Sequence, residues 1–161
     1  MTSRYSAGIT LIETLVYLAL FTIVIGGLLA SAYAFFESGG RNQTKAMMQL
    51  EQDFLASKIN WALDGAESVA VPSAARLSVT MRDASEGNPV QICLAGSDMR
   101  LSVGGVTCAS AETLNNSNVR ISNLVFIRTQ ARLEVGFIIS ATTSNGMIIS
   151  QTASTTRYLY L

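Results

Sequence analysis

The chain has 161 residues, with eleven basic and eleven acidic side chains, two cysteines and no histidine. A formal charge of zero leaves no electrostatic footprint for nucleic acid. The lack of histidine excludes His-ligated metals, His-based triads and His acid–base catalysis. Two cysteines are too few for a closed Cys-only zinc site.

In chain order, residues 1–8 (MTSRYSAG) are a short leader with one base, Arg4. From Ile9 to Phe36 the side chains are apolar, interrupted by Thr10, Glu13, Thr14, Thr22 and Ser31. As a helix this run is roughly 42 Å long at 1.5 Å per residue, more than the ~30 Å of a bilayer's hydrocarbon core. A membrane-spanning helix is expected over 9–36. A cleaved secretory signal would have a shorter apolar region with no charge inside it. Glu13 is the anomaly. An acid costs on the order of 2.5–3.5 kcal/mol at the bilayer centre, less near an end, and it calls for a partner. Gly26, Ala30 and Ala34 recur at four-residue spacing, as do Gly27 and Ser31. That spacing lets helices approach closely in lipid, and it is equally ordinary membrane-helix composition.

Residues 37–66 read as an amphipathic continuation of the helix. Met47, Leu50, Phe54 and Trp61 recur at helical spacing, joined by Leu55, Ile59, Ala62 and Leu63. They are expected to form a stripe that packs on a sheet. Gly39-Gly40 is an expected weak point, at about 1 kcal/mol per glycine relative to alanine, and Gly26-Gly27 is a second.

From Pro72 onward the period changes to two. Residues 76–82 and 90–96 alternate, and 99–105 and 106–108 follow. Residues 118–129 alternate with a bulge expected near Asn123. Residues 131–143 are the clearest strand, with Leu133, Val135, Phe137 and Ile139 on one face. Asn145-Gly146 is the strongest hairpin signal, and 147–154 and 155–161 complete the pattern. Residues 67–161 are thus expected to fold on an antiparallel sheet of about five to seven strands. The strands come after the helix, so the class is α+β: a long N-terminal hydrophobic helix packed on an antiparallel β-sheet.

Cys93 falls in a strand and Cys108 follows Gly104-Gly105. A disulfide closing a loop of that size would stabilise by about 3 kcal/mol and would persist only in an oxidising space. Two buried free thiols are the alternative. Arg120, Arg128, Arg132 and Arg157 are expected as scattered solvent-facing charges rather than a basic strip. Asp83 and Glu86 beside Gly87-Asn88-Pro89 are too few for a calcium loop. No catalytic constellation, phosphate loop, cofactor site, metal site or small-molecule substrate is expected, and nothing supports nucleic acid as a partner.

The opening GITLIE, residues 8–13, carries more. A polar leader ending in glycine, then an apolar residue, Thr-Leu-Ile-Glu and further hydrophobics resembles the N-terminus of type IV prepilins and pseudopilins. Gly8, Thr10, Leu11, Ile12 and Glu13 match that motif; Ile9 stands where the family usually has phenylalanine. The helix also lacks the proline of many members. The resemblance covers the head of the chain in detail and the rest in architecture only.

The resemblance implies that a membrane prepilin peptidase cuts between Gly8 and Ile9 and methylates the new amine of Ile9. It implies that Glu13 meets the terminal amine of a neighbouring subunit during assembly. Pairing with its own amine at i, i+4 is the other reading of the spacing. The physics suits both. The amine, with an ordinary pKa of about 7.7–8, is a cation; opposite charges attract far more strongly in an apolar medium than in water.

The resemblance further implies a pilin-like fold and a structural role rather than an enzymatic one. The leader would be cytoplasmic and the globular domain outside, first in the cytoplasmic membrane and then in a pilus or pseudopilus. The implied partners are prepilin peptidase, other pilin subunits, membrane lipid, and an inner-membrane assembly platform with its ATPase. A minor subunit is expected. The alternative is a single-pass membrane-anchored extracytoplasmic binding module outside any filament.

Overall fold

The computed structural model describes residues 10–83, 85 and 87–159. It contains one long helix, α1 (Leu11–Asp64), and eight strands: β1 (Ala66–Ser73), β2 (Arg76–Met81), β3 (Val90–Ala95), β4 (Asp98–Ser102), β5 (Glu112–Thr113), β6 (Val119–Thr129), β7 (Arg132–Thr142) and β8 (Ile148–Tyr158). The class is α+β, and the chain divides into two compact units between Arg41 and Asn42.

In the first unit, Leu11 to Arg41 are helical throughout. Gly26-Gly27 and Gly39-Gly40 do not break the helix, contrary to the weak points expected from propensity. A penalty of about 1 kcal/mol per glycine is small against a ladder propagating cooperatively from both sides.

In the second unit, the rest of α1 and the strands share one core. The helix buries Met48, Leu55, Ile59, Ala62 and Leu63 against Leu77, Val79, Ile92, Met99, Ile121, Leu133 and Ile139. Leu55, Ile59, Ala62 and Leu63 of the expected stripe are thus buried, and the rest of that stripe is corrected. Leu50, Phe54 and Trp61 are exposed, Leu50 at 72%, while Met47 only flanks the core. Both stripes have helical spacing, so period alone does not choose between them. The buried one holds the small Ala62 where the other holds Trp61, and a small side chain lets a helix approach the strands closely.

The strands form two antiparallel sheets rather than the single sheet expected. The first runs β1-β2-β3-β4-β5 and the second β6-β7-β8. The two-residue β5 ends the first sheet. One edge of β6 then meets loops of that sheet: Ile121 N donates to Ser97 O (2.8 Å) and Phe126 N to Ala74 O (2.7 Å). Asn115 ties the sheets together from a buried position. Its Oδ1 accepts from Met99 N (2.8 Å) and its Nδ2 donates to Val119 O (2.8 Å). The bulge expected near Asn123 is present. The β6–β7 register shifts between Ser122 and Val125, and Asn123 has φ 53°, a left-handed conformation that asparagine tolerates better than most residues.

Three strand expectations are corrected. Residues 106–108 form no strand; Cys108–Ser110 is a 3₁₀ turn. Residues 147–154 and 155–161 are not two elements, because β8 runs unbroken from Ile148 to Tyr158. β1 starts before Pro72. Its register slips between Ala66 and Ser68 and again between Ala70 and Ser73, which erases the alternation that would have marked it. At the junction of α1 and β1, Gly65 N donates to Trp61 O (3.2 Å) and Arg82 N donates to Gly65 O (2.9 Å). A Cβ at Gly65 would stand 2.4 Å from Met81 Cε, so a larger residue there would have to displace that methyl.

Candidate functional site

The site singled out by the sequence is the head of the apolar helix. Glu13 N donates to Thr10 O (3.0 Å) and lies 3.4 Å from Thr10 Oγ1; Thr14 N donates to the same carbonyl (3.2 Å). Thr10 is therefore the N-cap and Glu13 the third helical residue, the Thr-x-x-Glu spacing of a capping box. The first turn is also where the helix dipole favours a negative charge. Charge and the motif drew attention to Glu13, but the capping role of Thr10 was missed. The legible signal was a Ser/Thr-x-x-Glu pattern directly before an apolar run.

The hydroxyls of Thr14, Thr22 and Ser31 are absorbed by the helix itself. Thr14 Oγ1 donates to Leu11 O (2.8 Å), Thr22 Oγ1 to Ala19 O (2.8 Å) and Ser31 Oγ to Gly27 O (2.9 Å). Hydroxyls bonded back to the preceding turn ask nothing of the surroundings, which is what a hydrocarbon environment requires. What remains outside is mostly apolar, with Glu13 and the phenols of Tyr17 and Tyr33 as the exceptions. Leu11 is 79% exposed and Phe36 82%, and the large side chains between them are exposed on every side of the helix. Tyr17, Leu18, Leu20, Phe21 and Val24 line an open apolar groove, with Thr14 at its rim. Cβ atoms added at Gly26 and Gly27 would meet nothing within 4 Å, so both backbones lie open to close approach.

Glu13 is the one charge in this surface. Among the described residues it makes no ion pair. The next basic residue along the chain is Arg41, which pairs with Glu37 at 4.0 Å. The other two residues predicted for the site, Gly8 and Ile9, lie outside the described residues.

The remaining predicted positions belong to the second unit. Cys93 of β3 and Cys108 of the 3₁₀ turn are joined by a disulfide, with Cα atoms 6.2 Å apart. Arg100, in the same neighbourhood, donates to Ala109 O. The four arginines do not act together: Arg128 donates to Val69 O, Arg132 pairs with Glu134 and Arg157 with Asp64. Arg120 stands by a polar cleft with Gln43, Ser117, Asn118 and Thr142. Among the described residues no group of three or more Asp, Glu or Cys is arranged as a metal site.

The first unit carries a motif shared with known proteins. Residues 3–29 match the family model of the prokaryotic N-terminal methylation motif. No curated protein and no solved structure matches the chain.

Proposed function

We propose that this chain, type IV pilin-like by its N-terminal methylation motif, is a minor structural subunit of a type IV pilus or type II secretion pseudopilus. One observation carries the reading. Residues 11–36 expose a largely apolar surface whose Thr14, Thr22 and Ser31 hydroxyls are bonded inward, with Glu13 as its one charged side chain. A surface of this kind is at home in lipid, and equally at home among copies of itself.

Prepilin peptidase would cut between Gly8 and Ile9 and methylate the Ile9 amine. Before assembly the helix would sit in the cytoplasmic membrane with its N-terminus toward the cytoplasm. The platform protein and its ATPase would then move the subunit into the filament. There the helix exchanges lipid for neighbouring helices, and the neighbour's cationic terminus neutralises Glu13. An attraction that is weak in water becomes strong in that medium. The chain would be the peptidase's substrate and a building block rather than a catalyst. The Cys93–Cys108 disulfide supports placing the second unit in an oxidising compartment.

Intact-mass and N-terminal analysis of the mature chain tests this reading. A chain that begins at N-methylated Ile9 is expected. A mature, membrane-bound chain that still begins at Met1 would contradict it and favour a permanently anchored binding module.

A further inference from the structure

We propose that the free edge of β8, together with the flank of α1 beside it, is a strand-addition site for an extended, basic peptide segment of a partner protein.

β8 is the outer strand of its sheet, whose order is β6-β7-β8. Its eleven residues pair with β7 without a register shift. The two ends of the hairpin fix which groups face outward. Leu159 N donates to Ala131 O and Thr143 N to Met147 O (2.6 and 2.8 Å), so odd-numbered residues of β8 exchange hydrogen bonds with β7. In an antiparallel ladder the alternate residues turn their N–H and C=O away. Ile148, Ser150, Thr152, Ser154, Thr156 and Tyr158 therefore present a row of donors and acceptors along about 37 Å of edge, at 3.4 Å per residue. Edges of this length are ordinarily blunted by proline, lysine, a bulge or a covering element. β8 has no proline, lysine or bulge.

The opposite edge of the sheet is handled differently. β6 abuts loops of the first sheet through Ile121 and Phe126. The contrast makes the open edge of β8 a local property rather than a general one.

α1 supplies a wall. Gln52 meets Gln151 (3.4 Å) and Asp64 pairs with Arg157, so this stretch of helix runs in the same direction as β8. The flank that carries these contacts continues into a cleft lined by Asp53, Ala56, Ser57, Asn60, Trp61 and Asp64. Asn60 Oδ1 is buried there with no hydrogen-bond partner among the described residues. A buried carbonyl in that condition is costly, and a donor arriving with a ligand would relieve it. Of the two carboxylates in the lining, Asp64 is taken by Arg157, and Asp53 makes no ion pair among the described residues. The occupant is thereby specified: a strand whose backbone pairs with β8, with a hydrogen-bond donor on its helix-facing side and lysine or arginine near Asp53. Main-chain bonds would give the affinity and alternate side chains the selectivity.

The test uses the full chain in detergent micelles. The probe is the peptide Lys-Val-Thr-Val-Lys-Val-Thr, with a backbone N-methylated copy as control. Hydrogen exchange is expected to slow at least tenfold at the amides of Ser150, Thr152, Ser154 and Thr156 with the peptide and not with the control. Thr152→Pro removes an outward N–H and spares the β7 ladder. It is expected to weaken binding at least tenfold at an unchanged thermal midpoint. Asp53→Lys, an exposed helix position, is expected to weaken binding at least fivefold without touching the sheet. Unchanged protection, or full affinity in either variant with the fold intact, overturns the proposal. Protection that rises with protein concentration alone also overturns it, because the edge would then be taken by a second copy of this chain.

Discussion

The two units of this chain solve the same problem in opposite ways. Residues 42–159 turn their apolar side chains inward: Leu55, Ile59, Leu77, Ile92, Leu133 and Ile139 are fully buried, and a disulfide and Asn115 fasten the strands around them. Residues 11–41 turn theirs outward, and Thr14, Thr22 and Ser31 bond their hydroxyls to the helix's own backbone. The first arrangement is complete in water. The second is complete only when something apolar surrounds it. A protein that keeps both has divided its work between a body with its own buried core and a helix whose exposed apolar surface suits lipid or other helices.

The two ways of handling an acid sharpen the point. Asp83 is fully exposed, and hydrogen bonds from Ser85, first its side chain and then its backbone N–H (2.9 Å), hold its carboxyl below the usual 3.8. Glu13 lies in an apolar surface with no cation beside it among the described residues. One acid is satisfied locally; the other, in the proposed reading, is satisfied on assembly.

Substitutions can break the comparison, the largest effect first. Leu55→Ala is expected to cost about 2–5 kcal/mol in a denaturant titration of the second unit, as large-to-small changes in a packed core do. Leu50→Ala, five residues away in the same helix, is expected to stay within about 0.5 kcal/mol of the parent. Equal costs would mean that the buried stripe has been misassigned. Phe21→Lys places a charge in the outward-facing helix and is expected to disfavour membrane insertion by about 2.5–3.5 kcal/mol. Fractionation would show the chain leaving the membrane while the thermal midpoint of the second unit holds.

Replacing Cys93 and Cys108 by serine is expected to cost about 3 kcal/mol in the second unit, the loop-entropy value for a loop of this size. It should leave membrane partition of the first unit unchanged. The smallest effect is at Asp83. Its folded pKa is depressed, so its contribution to stability is present above the unfolded value of 3.8 and is lost as pH falls through the lowered folded value. An NMR titration should place the Asp83 carboxyl midpoint below 3.8 in the native chain and nearer to it in Ser85→Ala.

How much of this was legible in the sequence also differs between the units. In the first, one signal decides everything: a run too long and too apolar for a core helix, headed by Thr-Leu-Ile-Glu. Its one hidden feature, the capping role of Thr10, was written in the same four letters. In the second unit the strongly alternating strands could be read, β7 most plainly, and so could the bulge at Asn123. β1 could not, because two register slips break its period. The division into two sheets could not be read either. It depends on where β5 stops and on loop carbonyls at Ser97 and Ala74 that accept from β6, long-range matches with no local trace. The helix stripe was ambiguous for a different reason. α1 carries two apolar faces at the same spacing, and only packing decides which one a sheet covers.

The central claim is that Glu13 makes the outward-facing helix an assembly element. It is tested most directly by recovering Glu13→Gln beside the parent chain from sheared filaments, with the second unit's thermal midpoint as control. The account predicts at least a tenfold loss of the variant from filaments at an unchanged midpoint, with the variant still in the membrane. Recovery equal to the parent's would contradict it.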